Sequence, residues 1–159
     1  MKQVHVECLP DELLVSKLGF IRKFVIHHQG KSRVFHSLCK GTSQLAMVDE
    51  DPGTVKTSYE KKLKFIDESE GIKLFMDKSD NKTIFLSGKL EDWIISVCKR
   101  YKIKPGSYSL PEDSDDLHEI INQGLTKFGN LLDDLIHQKS GFTEIERMVK
   151  VNILKNHIN

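Results

Sequence analysis

Two aspartates one residue apart close the apolar run Leu45-Ala46-Met47-Val48-Asp49-Glu50-Asp51-Pro52-Gly53, and a helix-breaking Pro-Gly pair follows. A buried parallel strand whose carboxyl end opens into a site has this form. Side chains alternate along an extended chain, so Asp49 and Asp51 are expected on one side and Glu50 on the other. Two like charges held that close need water or a cation between them. A hard divalent cation with oxygen ligands, Mg²⁺ or Mn²⁺, is the natural partner. The plain alternative is a solvated acidic turn. Three further acids bear on the choice: Glu7 after an amino-terminal strand, and Glu91 and Asp92 at the start of a later helix.

The elements that would carry these acids alternate along the chain. Val4 and Val6 mark a first strand, and Leu9-Pro10-Asp11-Glu12 opens a helix with proline and acids in its first turn. Phe20 to His28 reads as a second strand, Gln29-Gly30-Lys31-Ser32 leads into a second helix, and Thr42 to Val48 is the third strand. Residues 54–69 suit a charged amphipathic helix with Tyr59, Leu63 and Ile66 inward. Ile72 to Met76 and Thr83 to Leu86 are strands around a polar turn, and a helix begins at Leu90. The alternation predicts a three-layer α/β domain over residues 1–104 with a mainly parallel sheet. Three amphipathic segments, 110–122, 125–137 and 142–155, predict a carboxy-terminal helical extension over residues 105–159, packed on that domain.

With 38% hydrophobic and 30% charged residues, the chain is an ordinary globular one rather than a disordered one. A net charge of +1 does not support a strongly basic nucleic-acid binder, so any such contact must come from local patches or a metal ion. Cys8, Cys39 and Cys98 form neither a Cys-x-x-Cys pair nor a disulfide framework. With no signal-peptide pattern and no apolar run near 20 residues, the sequence predicts a cytoplasmic protein that does not engage a membrane. His27 and His28 would point to opposite faces of a strand, which argues against a shared zinc with His5 or His36.

In an open α/β sheet, ligands gather at the carboxyl ends of the strands. Glu7, Asp49, Asp51, Glu91 and Asp92 would converge on that rim if the strand before Glu91 runs parallel. With Val4-His5-Val6-Glu7 and Met47-Val48-Asp49-Glu50-Asp51 in these positions, residues 1–100 resemble the Toprim domain of primases, topoisomerases and overcoming-lysogenization-defect nucleases. Gln29-Gly30-Lys31-Ser32 and Leu90-Glu91-Asp92-Trp93 also look like small Toprim-like proteins. Family members often place glycine after the glutamate, where this chain has Cys8. The resemblance implies Mg²⁺ (or Mn²⁺) on Asp49 and Asp51, with Glu91 or Asp92 as a further ligand. It implies Glu7 as general acid/base or ligand, Lys31 at a phosphate, and phosphodiester hydrolysis on DNA or RNA. Tyr59, Tyr101 and Tyr108 have no motif around them, which favours hydrolysis over strand passage.

Two other readings stand beside this one. Asp49-Glu50-Asp51-Pro52-Gly53-Thr54 resembles the haloacid-dehalogenase phosphatase motif, with Ser87 and Asp115-Asp116 as counterparts. Pro52 displaces the Gly-Thr of that motif, and no strand precedes Asp115. The other reading is a non-catalytic interaction module whose carboxy-terminal helices make a homodimer or bind a partner protein. Arg147, Lys150 and Lys155 are a solvated helix face or a DNA contact.

Overall fold

The computed structural model describes residues 2–138 and 142–154. One six-stranded sheet organises the chain: β1 (Val4–Val6), β2 (Val25–His27), β3 (Leu45–Asp49), β4 (Lys64–Ser69), β5 (Ile72–Met76) and β6 (Lys82–Leu86), in the order β2-β1-β3-β6-β5-β4. β2, β1, β3 and β6 run parallel, while β5 and β4 are antiparallel additions at one edge. The helices are α1 (Leu9–Lys17), α2 (Lys31–Leu38), α3 (Leu90–Tyr101), α4 (Ser114–Ile120), α5 (Leu125–His137) and α6 (Phe142–Leu154). The fold is mixed α/β: the crossovers after β1 and β2 place β2 and β3 parallel on either side of β1, and the connection after β3 leads to β4 at the far edge.

Alternation along the strands builds two cores. Val4, Val6, Leu45, Met47, Ile84 and Leu86 join Ile72 and Leu74 beneath residues of α1, α3, α5 and α6. Ala46, Val48 and Phe85 turn the other way and pack with Val34, Phe35 and Leu38 of α2. Near-continuous apolar runs in β3 follow from burial on both faces.

The carboxy-terminal helices share the first core. Trp93 of α3 is fully buried, meets Phe142 of α6 edge-on at 5.2 Å, and donates its indole N–H to Glu70 O at 3.0 Å. Phe128, Leu131, Leu132 and Leu135 of α5 lie in the same cluster. Among the described residues, no helix is long and apolar enough to cross a membrane. Lys155 lies outside the described residues, as does the side chain of Lys150. Arg147 is engaged with Asp67 and Glu144 at 2.7 and 3.0 Å.

Two expected elements differ. The helix expected over 54–69 is a loop with a 3-10 turn at Glu60–Lys62, followed by β4. Glu70 and Gly71, at φ +54° and +75°, make a tight connection of the kind that joins two strands of a hairpin. Pairing with β5 then satisfies the backbone, and Phe65 packs edge-on against Phe75 at 5.6 Å. A 3.6-residue pattern of apolar side chains thus yields to ladder hydrogen bonds. The second strand is shorter than the expected Phe20–His28: Arg22–Phe24 is a 3-10 turn and only Val25–His27 pairs with β1.

Candidate functional site

Three helix amino termini meet the carboxyl edge of the parallel strands, and each receives an acid. Glu7 follows β1, and its Oε1 accepts the Asp49 N–H at 2.9 Å. The Lys31 amide at the start of α2 lies near enough to favour the charged Glu7 carboxylate. Asp49 ends β3, and its Oδ1 accepts the Leu90 N–H at the start of α3, again at 2.9 Å. Asp11, in the first turn of α1, accepts the Cys8 amide at 3.2 Å and the Cys8 thiol at 3.0 Å. Unpaired amides and the helix dipole favour negative charge at all three places.

The strand ends at Asp49, so the alternation expected to align Asp49 with Asp51 does not continue. Asp51 adopts φ +48°, a left-handed backbone, and its carboxylate turns to Lys31 Nζ at 3.0 Å. It still lies near enough to Asp49 and Glu7 to oppose their ionisation. Glu50 diverges, as alternation predicts, and pairs with Lys73 of β5. β6 runs parallel to β3, which brings the start of α3 to this rim. Glu91 is buried there, contributes to the field at Asp49, and pairs with His118 Nδ1 of α4 at 3.2 Å. Asp92 is on the same helix turn but faces solvent and caps α3 by accepting the Lys89 N–H at 2.9 Å.

The structure therefore gathers Glu7, Asp49, Asp51 and Glu91, while Asp92 serves as a helix cap. It adds Asp11, which the sequence reading assigned only to the helix dipole. Asp11 is 1% exposed, and no sequence signal separates a buried first-turn aspartate from a solvated one. Lys31 is the cation in contact: its ammonium also reaches Glu50 O at 3.4 Å and Glu60 at 4.0 Å.

Burial and mutual repulsion raise the proton affinity of Asp49, Asp11 and Glu7. Burial and then the charges of Asp11, Glu7, Glu91 and Asp51 push Asp49 up to about 8. Burial is also the main cause for Asp11, which rises to about 7 despite the Cys8 hydrogen bond. Glu7 is raised by burial, against the pull of the Asp49 amide and Lys31. The Cys8 thiol is pushed up by burial and by Asp11, which keeps it from acting as a nucleophile.

A cation is the direct remedy for such crowding, and the donor atoms are the oxygens that Mg²⁺ takes. Among the described residues, no three His, Cys, Asp or Glu side chains form a ready cation cage. Mg²⁺ does not require one, since it is commonly held by one or two carboxylates together with water and phosphate. Glu7 and Asp49 fit that requirement, with Asp51 beside them.

The remaining expectations resolve simply. His5 Nδ1 and His28 Nε2 are 2.9 Å apart with stacked rings, and His5 Nε2 is 2.9 Å from Gln44 Oε1. His5 donates to Gln44 and accepts from His28, while His27 is exposed, so the two adjacent histidines do diverge. Asp113 accepts the Asp115 and Asp116 amides, making this acidic run the start of α4.

Compared with known protein families, curated proteins and solved structures, the chain matches none.

Proposed function

We propose that the carboxyl rim of the sheet is a Mg²⁺ site for hydrolysis of a nucleic-acid phosphodiester, on a Toprim-like α/β domain. The observation that carries this reading is the lateral contact of Glu7 with the Asp49 backbone. It sets two carboxyls side by side at the ends of adjacent strands, with Asp51, Glu91 and Asp11 within electrostatic reach. The β2-β1-β3-β6 parallel order, with a glutamate after β1 and Asp-x-Asp at the end of β3, supports the Toprim-like description.

Asp49 would hold the ion, with Asp51 alongside and Glu7 next to it left to take a proton. Bound there, Mg²⁺ would stabilise charge developing on a phosphate. Asp49 Oδ1 is held by the Leu90 N–H, which orients the carboxylate. Glu7, its proton affinity raised by burial, suits proton transfer. In hydrolysis the water oxygen bonds to phosphorus, its proton passes to the Glu7 carboxylate, and the P–O bond to the leaving oxygen breaks. That proton then returns to the leaving oxygen. Lys31 supplies a positive charge that a phosphate can share with Asp51.

One observation favours a second reading, a non-catalytic interaction module: Glu7, Asp11 and Asp49 each already serve a helix amino terminus. Mn²⁺ titration by electron paramagnetic resonance or calorimetry on wild type and Asp49→Asn separates the two. Saturable binding that Asp49→Asn abolishes is expected. Binding indifferent to Asp49, or none, leaves the acids as helix caps and ends the hydrolytic reading.

A further inference from the structure

The sheet face opposite the carboxy-terminal helices carries a row of aromatic rings leading away from the acids. Phe85 of β6 meets Phe75 of β5 edge-on at 5.3 Å, and Phe75 meets Phe65 of β4 in the same way at 5.6 Å. α2 packs over β1 and β3 on this side. The outer part of the row is left open: Phe75 is half-buried and Phe65 is 53% exposed. β5 turns Ile72 and Leu74 into the core and Lys73 toward this open face, opposite Phe85.

Between this row and the 50–63 loop lies a cavity of about 180 Å³, with Phe75, Phe85 and Leu63 on one side and Glu50, Lys56 and Lys73 among its polar walls. It adjoins the catalytic rim directly, since Asp51 also lines it. Its volume equals roughly six water molecules, enough for one planar ring system and below the usual size of a pocket for a drug-sized ligand. Its lining carries Glu50, Asp51 and Glu60 against Lys56 and Lys73, and Lys31, outside the lining, pairs with Asp51 and Glu60 and brings the charges into balance. A neutral ring with polar edges suits such walls better than an anion does.

We propose that this cavity takes an unpaired nucleobase, stacked against the half-buried ring of Phe75 with Lys56 at a neighbouring phosphate, so that single-stranded nucleic acid is the substrate. The inference rests on the reading of the rim as a phosphodiester site. A base in a duplex presents its edge and not its face, so it cannot reach the rings. A base from a single strand can, and stacking on exposed aromatic rings of a sheet is a general means of holding such strands. The strand would then run from the open face toward Glu7 and Asp49.

The test is fluorescence anisotropy with a labelled 15-nucleotide single strand of mixed sequence and its duplex, in EDTA and again in Ca²⁺. Wild type is expected to prefer the single strand. Phe75→Leu, which keeps apolar packing but loses the ring, is expected to weaken single-strand binding roughly tenfold. Phe75→Tyr should restore it, and Lys56→Glu, on the exposed loop, should weaken it without touching the core. Equal affinity for strand and duplex, no binding in either condition, or a Phe75→Leu variant that binds like wild type overturns the inference. Absence of nucleic-acid binding would give the aromatic row to a protein partner instead. Mn²⁺ binding lost in Asp49→Asn keeps the metal reading whatever the oligonucleotides do. Single-strand binding without Mn²⁺ binding keeps the cavity and ends the hydrolytic reading alone.

Discussion

Replacing Asp49 with asparagine is expected to make the metal-free protein more stable at neutral pH. Asp49 rises from an ordinary 3.8 to about 8 through burial and four acidic neighbours. Because the folded value lies above the unfolded one, the folded state binds the extra proton. The resulting stability is complete below pH 3.8 and is lost as pH rises through about 8. At about 1.36 kcal/mol per pH unit, the full interval sets a ceiling of about 6 kcal/mol. The acids titrate as a group, so removing one charge recovers about half of that, about 3 kcal/mol. Asparagine still accepts the Leu90 N–H through Oδ1, and the lost charge at the start of α3 costs only about 0.5–1 kcal/mol. Relief of crowding therefore wins. The assay is urea unfolding in EDTA at several pH values from 4 to 8.5, followed by the fluorescence of Trp93, the single and fully buried tryptophan. The difference between variant and wild type should grow with pH. Added Mg²⁺ should close it by stabilising wild type alone, by about 2.7 kcal/mol at a hundredfold excess over Kd. A difference that stays flat with pH, or a variant less stable at pH 7.5, refutes the electrostatic account and makes Asp49 a helix cap only.

Gly71→Ala should destabilise the β4–β5 hairpin by about 1–3 kcal/mol, because φ +75° strains any side chain and the added carbon would lie 3.2 Å from the Trp93 ring. Equal urea midpoints for variant and wild type would refute this. The His5 ring, its proton affinity lowered first by burial and then by His28, should titrate below 6.5 in a ¹³C-resolved NMR titration. Its folded value is depressed, so the stability it contributes is present above pH 6.5 and lost as pH falls below it. A His5 midpoint at or above 6.5 contradicts the pairing with His28. Mn²⁺ binding dependent on Asp49, and single-strand binding dependent on Phe75, complete the set.

Much of the scaffold was legible because apolar runs report burial directly. β3, β5, β6, α3 and α5 lie close to where periodicity put them, since each buries a continuous face. The 54–69 segment was misread because Phe65 and Ile66 are exposed on an edge strand, so apolar spacing there does not record a buried helix face. Glu70-Gly71 held the signal that could have corrected it: a glycine able to take positive φ between two strand-like runs. At the rim, Glu7 and Asp49 were found from their places at strand ends. Asp11 and the partnership of Glu91 with His118 were not, because burial of a single acid depends on what packs over it.

By itself the sequence determined which strand ends carry acids, that the helices between them are amphipathic, and that the chain can bury a core. Those properties depend on residue type and on spacing within one element. Only the tertiary structure decided that β1, β3 and β6 run side by side and parallel, so that acids 42 residues apart in the chain touch. It also decided that Asp51 turns to Lys31 while Asp92 turns away, and that a cavity walled by Phe75 and Phe85 adjoins the rim. Distance in space between residues far apart in sequence is set by strand order and loop closure, and no local pattern encodes either.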